Sequence, residues 1–309
     1  MKKQDAILFG PFVGELWWEI FRFAAMLPFY KLSKYKDKDI KYIVYTRPDR
    51  FDIYGAFADI LVPLEIKDEK DKYYSDCYKL RKFPDSEYYN LAEDFNKYYK
   101  TKYNILEHVF PDISRKRFLA KNQFNTKHMI FKVKPRKDNI KIVNKIISNN
   151  KPIILLASRY RKFLRRNWNG WEDLFNMIYS DSWLMDTFNF VICGKSPDYI
   201  PDPKNRFYDI NYFPTTTNTS TIGFLYALML KENTILTVGS QSGIPNISML
   251  FKVEVLEWGH QKELHTKSYN IFNTKVNFLE DNKYNLPAKK IFNTMVDILK
   301  RKQTKNLNV

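Results

Sequence analysis

Short apolar runs alternate with stretches of helical periodicity twice along this 309-residue chain, and this alternation restricts the fold more than any other feature. In the first half, Ala6–Phe9, Lys41–Thr46 and Ile60–Ile66 read as strands. Between them, Glu15–Tyr30 places Leu16, Ile20, Phe23 and Leu27 on one face at helical spacing, and Phe51–Ala58 reads as a second helix. In the second half, Ile153–Ala157, Phe188–Cys193, Thr234–Val238 and Val253–Glu257 read as strands. Helices are expected at Trp171–Tyr179, Ile222–Leu230, Asn246–Phe251 and Lys289–Lys302. Strands separated by helices run parallel, with the helices on the sheet faces. The expected fold class is therefore α/β, with two Rossmann-like domains facing a cleft. The turn Asn149-Asn150-Lys151-Pro152 sets their boundary, giving an N-terminal domain 1–150 and a C-terminal domain 151–309. From Lys67 to about Lys127 the pattern fades. Ser86–Tyr99 could make one helix there, and Ile105–Phe110 reads either way.

The composition removes several classes of protein. An apolar fraction of 44% with 17% aromatics is ample for packed cores and excludes a disordered chain. Two cysteines far apart, Cys77 and Cys193, supply neither a disulfide framework nor a metal-site spacing, and fit a reducing, cytoplasmic compartment. Ala6–Phe9 is too short for a signal-peptide core. Glu15, Glu19 and Arg22 interrupt the longer stretch to Tyr30, so no membrane span is expected. The net charge of +17 favours acidic partners: nucleic acid, anionic membrane surfaces or phosphorylated small molecules. The Lys- and Asn-rich bias of an AT-rich genome produces the same excess, so charge alone names no site.

Three constellations could carry chemistry. The first is Gly239-Ser240-Gln241-Ser242-Gly243-Ile244-Pro245, between the strand Thr234–Val238 and a following helix. A chain with 9 glycines that places two of them within five positions has a tight turn there. Backbone N–H groups at a helix start, with the helix dipole behind them, suit a phosphate; an ordinary turn without ligand is the plainer alternative. The second is Ser158-Arg159-Tyr160-Arg161-Lys162-Phe163-Leu164-Arg165-Arg166-Asn167-Trp168, directly after a strand. Arginines there offer planar, multi-donor contacts to a diphosphate and would stabilise it as a leaving group; a solvated basic loop or a nucleic-acid patch has the same composition. Gly194 and Lys195 after the next strand, with Trp258 and His260 after the last, are further expected contacts on this edge. The third is Gly14-Glu15 with Glu19 and Arg22, spaced i, i+4 and i+7 on one helical face. A carboxylate there could act as general base toward an acceptor hydroxyl. The plainer alternative is a helix-start charge at Glu15 and a surface Glu19–Arg22 ion pair. Asp37-Lys38-Asp39 spells a metal–diphosphate pattern but lies in a charged run and reads as a solvated loop. No spacing suggests a metal ligand set around His260 or His265, and Trp17-Trp18 reads as core.

These pieces together resemble the heptosyltransferase-like (family 9) glycosyltransferases of the GT-B fold. Gly14-Glu15 resembles the family's Gly-Asp turn after the first strand. Arg166-Asn167-Trp168 resembles its Lys-x-Trp-Pro, Gly239–Gly243 its Asn-Asp-Ser-Gly-Pro turn, and Val253–Gly259 the strand and glycine that follow. The likeness runs through the second half and, in the first, is confined mostly to residues 6–30. It departs from the pattern at Glu15 and Gln241, at the proline missing after Trp168, and at Pro245, two positions after Gly243. The resemblance implies a metal-independent enzyme that needs no cofactor beyond a nucleotide-sugar co-substrate. It points to Glu15 as base, and to Arg166, Ser242 and Gly243 as diphosphate contacts. The acceptor is left open between a glycan, a small molecule and a modified base in DNA, as with GT-B enzymes of some DNA viruses. A non-catalytic nucleotide- or nucleic-acid-binding module on the same scaffold is the alternative from another class.

Overall fold

The computed structural model describes residues 3–12, 19–64, 85–110, 132–159, 167–194, 206–216 and 218–306. The chain divides into two compact units, residues 1–137 and 138–309.

The first unit is built on a four-stranded parallel sheet: β1 (Asp5–Phe9), β2 (Lys41–Thr46), β3 (Ile60–Pro63) and β4 (Asn104–Val109), in the order β3-β2-β1-β4. Ala6, Leu8 and Ile43 pack on one face against Phe95 of the helix Asp85–Lys100. On the other face Phe9 meets Phe23 and Tyr30 edge-on. The segment expected as one regular helix to Tyr30 is irregular in its described part. It runs as π-helix over Glu19–Ala24, α-helix over Met26–Phe29 and π-helix again over Tyr30–Lys34. Pro28 has no N–H to give the preceding turn, so the helical hydrogen-bond ladder cannot continue evenly through it. Asp37, Lys38 and Asp39 are exposed in a turn, the solvated loop that the charge run suggests.

The second unit is a six-stranded parallel sheet. Its strands are β5 (Ile153–Ala157), β6 (Asn189–Cys193), β7 (Tyr208–Asp209), β8 (Thr234–Ser240), β9 (Glu254–Gly259) and β10 (Val276–Glu280), in the order β10-β9-β8-β5-β6-β7. Every residue of β5, β6 and β9 is buried, as expected of interior parallel strands covered on both faces. The helices Trp171–Ser180 and Ala288–Asn306 cover one face over a core that contains Trp168, Trp171 and Trp258. The Trp168 ring lies 4.8 Å from that of Trp258 and donates its Nε1–H to the Leu286 carbonyl at 2.8 Å. Cys193 is a buried core thiol, and burial pushes its pKa up.

The division falls after the first residue of the helix Lys137–Ile146, upstream of the turn at 149–152 where the sequence suggests it. Asn139 of that helix is fully buried in the second unit, where its Oδ1 accepts from the Ser220 N–H at 3.1 Å. Asn144 Oδ1 accepts from Lys231 Nζ at 2.8 Å. Among the described residues, no helix is long and apolar enough to cross a membrane.

Candidate functional site

The carboxyl edge of the second sheet gathers most of the described residues that the sequence points to. Register pairs Ala157 with both Cys193 and Gly239, and Ser240 with Trp258. Ser158, Gly194, Ser240 and Gly259-His260 therefore emerge side by side. Gly194 has φ +133°, and a side chain at this position would run into the Ser158 carbonyl, so only glycine lets β6 end here. Its carbonyl accepts from Asn211 Nδ2 at 3.0 Å. Among the described residues, the buried hydroxyls of Ser158 and Ser240 have no hydrogen-bond partner. Most buried hydroxyls are paired, so these two, at adjacent strand ends, can take a further partner.

Ser242 then caps the helix Gly243–Leu250 with extended backbone and no side-chain cap bond. The first N–H groups of a helix have no intrahelical partner, which leaves those of Gly243 and Ile244 as donors at its positive end. Pro245, third in the helix, gives up no bond the helix needs. Gly239 lets this turn sit low on the sheet, because a Cβ there would meet Ala157 Cβ at 2.8 Å and Pro245 Cγ at 3.1 Å. Ser248 Oγ, 3.0 Å from the Ile244 carbonyl and 2.8 Å from Thr237 Oγ1, fastens the helix to β8. Arg159, half-buried, donates from Nη1 to the Gln241 carbonyl at 3.2 Å and so brings the first residues of the basic segment to the same turn. The arrangement can hold an anion with backbone N–H groups, two hydroxyls and a guanidinium.

Two expected contacts are corrected. Trp258 is fully buried among Trp168 and Trp171, because alternation along β9 sends it to the helix-covered face. Gln241 is 1% exposed, and its side chain turns inward rather than toward a ligand. Its Oε1 accepts from Tyr284 Oη at 2.7 Å and from the His260 N–H at 3.2 Å. Its Nε2 lies 2.8 Å from both Gln261 Oε1 and His265 Nε2. His265 Nδ1 in turn lies 3.0 Å from the Glu257 carboxylate. Burial raises the Glu257 pKa, against the pull of His265 and of the Ser242 N–H. His260 itself is exposed at the edge, with Nδ1 3.0 Å from Tyr284 Oη.

In the first unit, Gly10 closes β1 with φ +100°. Its N–H donates to Val109 O at 2.8 Å, and its carbonyl lies 2.7 Å from His108 Nε2. Burial lowers the His108 pKa, so the imidazole is neutral at physiological pH. Glu19 is not a surface residue, as the pairing suggested by its spacing to Arg22 would have it. It is 1% exposed and accepts from Tyr54 Oη at 2.8 Å and Thr46 Oγ1 at 3.0 Å, with Arg50 Nε 3.5 Å away. Burial raises its pKa while Arg50 and Tyr54 pull it down. Buried beside Thr46 of β2 and Arg50 and Tyr54 of the segment that follows, Glu19 ties its helix to that strand. Gly14, Glu15, Arg161, Arg165, Arg166 and Lys195 lie outside the described residues, as does the side chain of Arg22. Among the described residues, no group of three His, Cys, Asp or Glu side chains is placed to hold a metal ion.

The fold is that of the GT-B, heptosyltransferase-like enzymes. The chain is similar to the family 9 glycosyl transferase of Veillonella parvula, with a TM-score of 0.56, 9% identity and 97% of each chain covered. It is also similar to the ADP-heptose LPS heptosyltransferase II of E. coli, with a TM-score of 0.53, 9% identity, and 97% of this chain and 99% of that one covered. No protein-family model matches the sequence, and no curated protein matches it.

Proposed function

We propose that this protein is a glycosyltransferase that moves a sugar from a nucleoside-diphosphate donor to an acceptor hydroxyl without a metal ion. The observation that carries the reading is the strand edge where the buried hydroxyls of Ser158 and Ser240 meet the helix start at Gly243-Ile244, on a fold shared with glycosyltransferases. In this reading the second unit holds the diphosphate, through those groups and through Arg159, Arg161, Arg165 and Arg166. The first unit supplies Glu15 as base. The acceptor hydroxyl gives its proton to the Glu15 carboxylate as its oxygen bonds to the anomeric carbon. The bond from that carbon to the diphosphate oxygen breaks, and the nucleoside diphosphate leaves with the electron pair. Positive charge on the basic segment stabilises the departing anion.

Calorimetric titration with ADP, UDP and GDP, and then with their sugars, tests the reading. One of the three binds the wild type. Arg166→Ala weakens that binding by about tenfold or more, the size of a lost charge-assisted hydrogen bond. An unchanged affinity in Arg166→Ala removes the clamp role, and the absence of binding by any of the three removes the donor reading.

A further inference from the structure

Gln241 is the joint of a buried hydrogen-bond chain whose every link has a single direction. The His260 backbone N–H can only donate, so the Gln241 atom 3.2 Å from it is the carbonyl Oε1. The Tyr284 hydroxyl, 2.7 Å from the same Oε1, must give its proton there and accept from His260 Nδ1 at 3.0 Å. On the far side, the Gln241 amide nitrogen donates to Gln261 Oε1 and to His265 Nε2, each at 2.8 Å. An acceptor at His265 Nε2 forces the ring proton onto Nδ1, which donates to Glu257 at 3.0 Å. The N–H of Ser242, next in sequence to Gln241, also lowers the Glu257 pKa. The chain thus runs from Glu257 through His265 to Gln241 in the turn. Two other bonds pin the same turn: the Gln241 N–H donates to Trp258 O at 2.8 Å, and Arg159 binds the Gln241 carbonyl, while Gly259 leaves room for the Gln241 side chain against its backbone.

We infer that Glu257 and His265 are positioning residues that act through Gln241 to hold the turn 240–243 in the shape that aims the Gly243 and Ile244 N–H groups at the donor diphosphate. The inference rests on the nucleotide-sugar reading above. Both residues are buried, at 0% and 2% exposure, so neither touches a ligand at this edge. A fixed tautomer on His265 is the requirement that sets this arrangement apart from a generic buried polar cluster, because a proton on Nε2 would face the Gln241 amide protons.

The test combines three variants with one spectroscopic measurement on the whole chain. Glu257→Gln keeps an acceptor for His265 Nδ1. Glu257→Leu and His265→Phe remove the link at similar volume. Binding of ADP, UDP and GDP is measured by calorimetry on protein whose folding is verified by thermal melting. Glu257→Leu and His265→Phe weaken binding of the preferred nucleotide by about tenfold or more, whereas Glu257→Gln stays within about threefold. In wild-type protein carrying nitrogen-15 histidine, His265, assigned as the signal absent from His265→Phe, shows Nδ1 protonated and Nε2 unprotonated at pH 7. A protonated Nε2 on His265 overturns the inference even if the leucine and phenylalanine variants fail to fold. Folded Glu257→Leu or His265→Phe binding nucleotide as the wild type does also overturns it, and leaves the nucleotide-sugar reading in place. A wild type that binds none of the three nucleotides overturns both.

Discussion

Glu15→Gln lowers sugar transfer by about a thousandfold or more and leaves donor affinity within about threefold of wild type. An acceptor hydroxyl holds its proton far too tightly to attack at neutral pH unaided, and a positioned base contributes about 100- to 10,000-fold. Glutamine matches glutamate in shape but cannot take the proton. Glu15 follows Gly14 at the expected start of a helix, where a carboxylate is favoured as the anion, the form a base needs. In the proposed division of labour it meets the acceptor and not the diphosphate, so donor binding is spared. Initial rates with a panel of UDP-, GDP- and ADP-sugars, alongside calorimetric titration of the matching nucleotide, separate the two effects. Near-normal turnover in Glu15→Gln contradicts the base role. A matched loss of donor affinity places Glu15 in the donor site instead.

Arg50→Ala destabilises the first unit by about 3–5 kcal/mol at pH 8, the usual cost of leaving one partner of a buried ion pair uncompensated. Glu19 is enclosed, with Arg50 as the largest influence holding its carboxylate in the charged form. Without Arg50, burial drives the Glu19 pKa further above its unfolded value near 4.5. The folded protein then keeps a proton that the unfolded chain releases, so between the two pKa values stability falls as pH rises. The penalty of Arg50→Ala is therefore fully present above the raised folded pKa and shrinks as acidification protonates Glu19. Urea denaturation at pH 5 and pH 8 checks this sign. Arg50→Ala/Glu19→Gln should recover much of the loss at pH 8, since the amide still accepts from Thr46 or Tyr54 and carries no charge. An equal penalty at both pH values, or no recovery in the double variant, contradicts the pairing.

Four of the six strands of the second unit were legible, because each is a mainly apolar run closed by small or turn residues. Ile153–Ala157 before Ser158 is the clearest, and interior parallel strands demand such runs. The edge strand Val276–Glu280 was not read, since its residues are only partly buried and its apolar positions are broken by Asn277. Asn104–Val109 stayed ambiguous because its polar residues have distant uses: Glu107 accepts from Tyr30 at 2.6 Å, and His108 holds the Gly10 carbonyl. The anion turn was legible because strand, small residues and helix start are all local. The inward role of Gln241 was not, because its partners His260 and Tyr284 stand 19 and 43 positions away. One signal was present: Glu257 lies among Val255, Leu256 and Trp258 in an interior strand, and a charge there needs a buried partner. Glu19 misled for the same reason in reverse. Helical spacing left it open between a base and a surface pair with Arg22, but its described partners are Thr46, Arg50 and Tyr54, on and just after a neighbouring strand.

A crystal structure of the protein bound to its preferred nucleoside diphosphate tests the donor site most directly. The phosphate oxygens should lie within hydrogen-bond distance of the Gly243 and Ile244 N–H groups and the Ser240 hydroxyl, with Ser158 and Arg159 at the same strand edge. A diphosphate seated on any other surface, with that turn untouched, contradicts it.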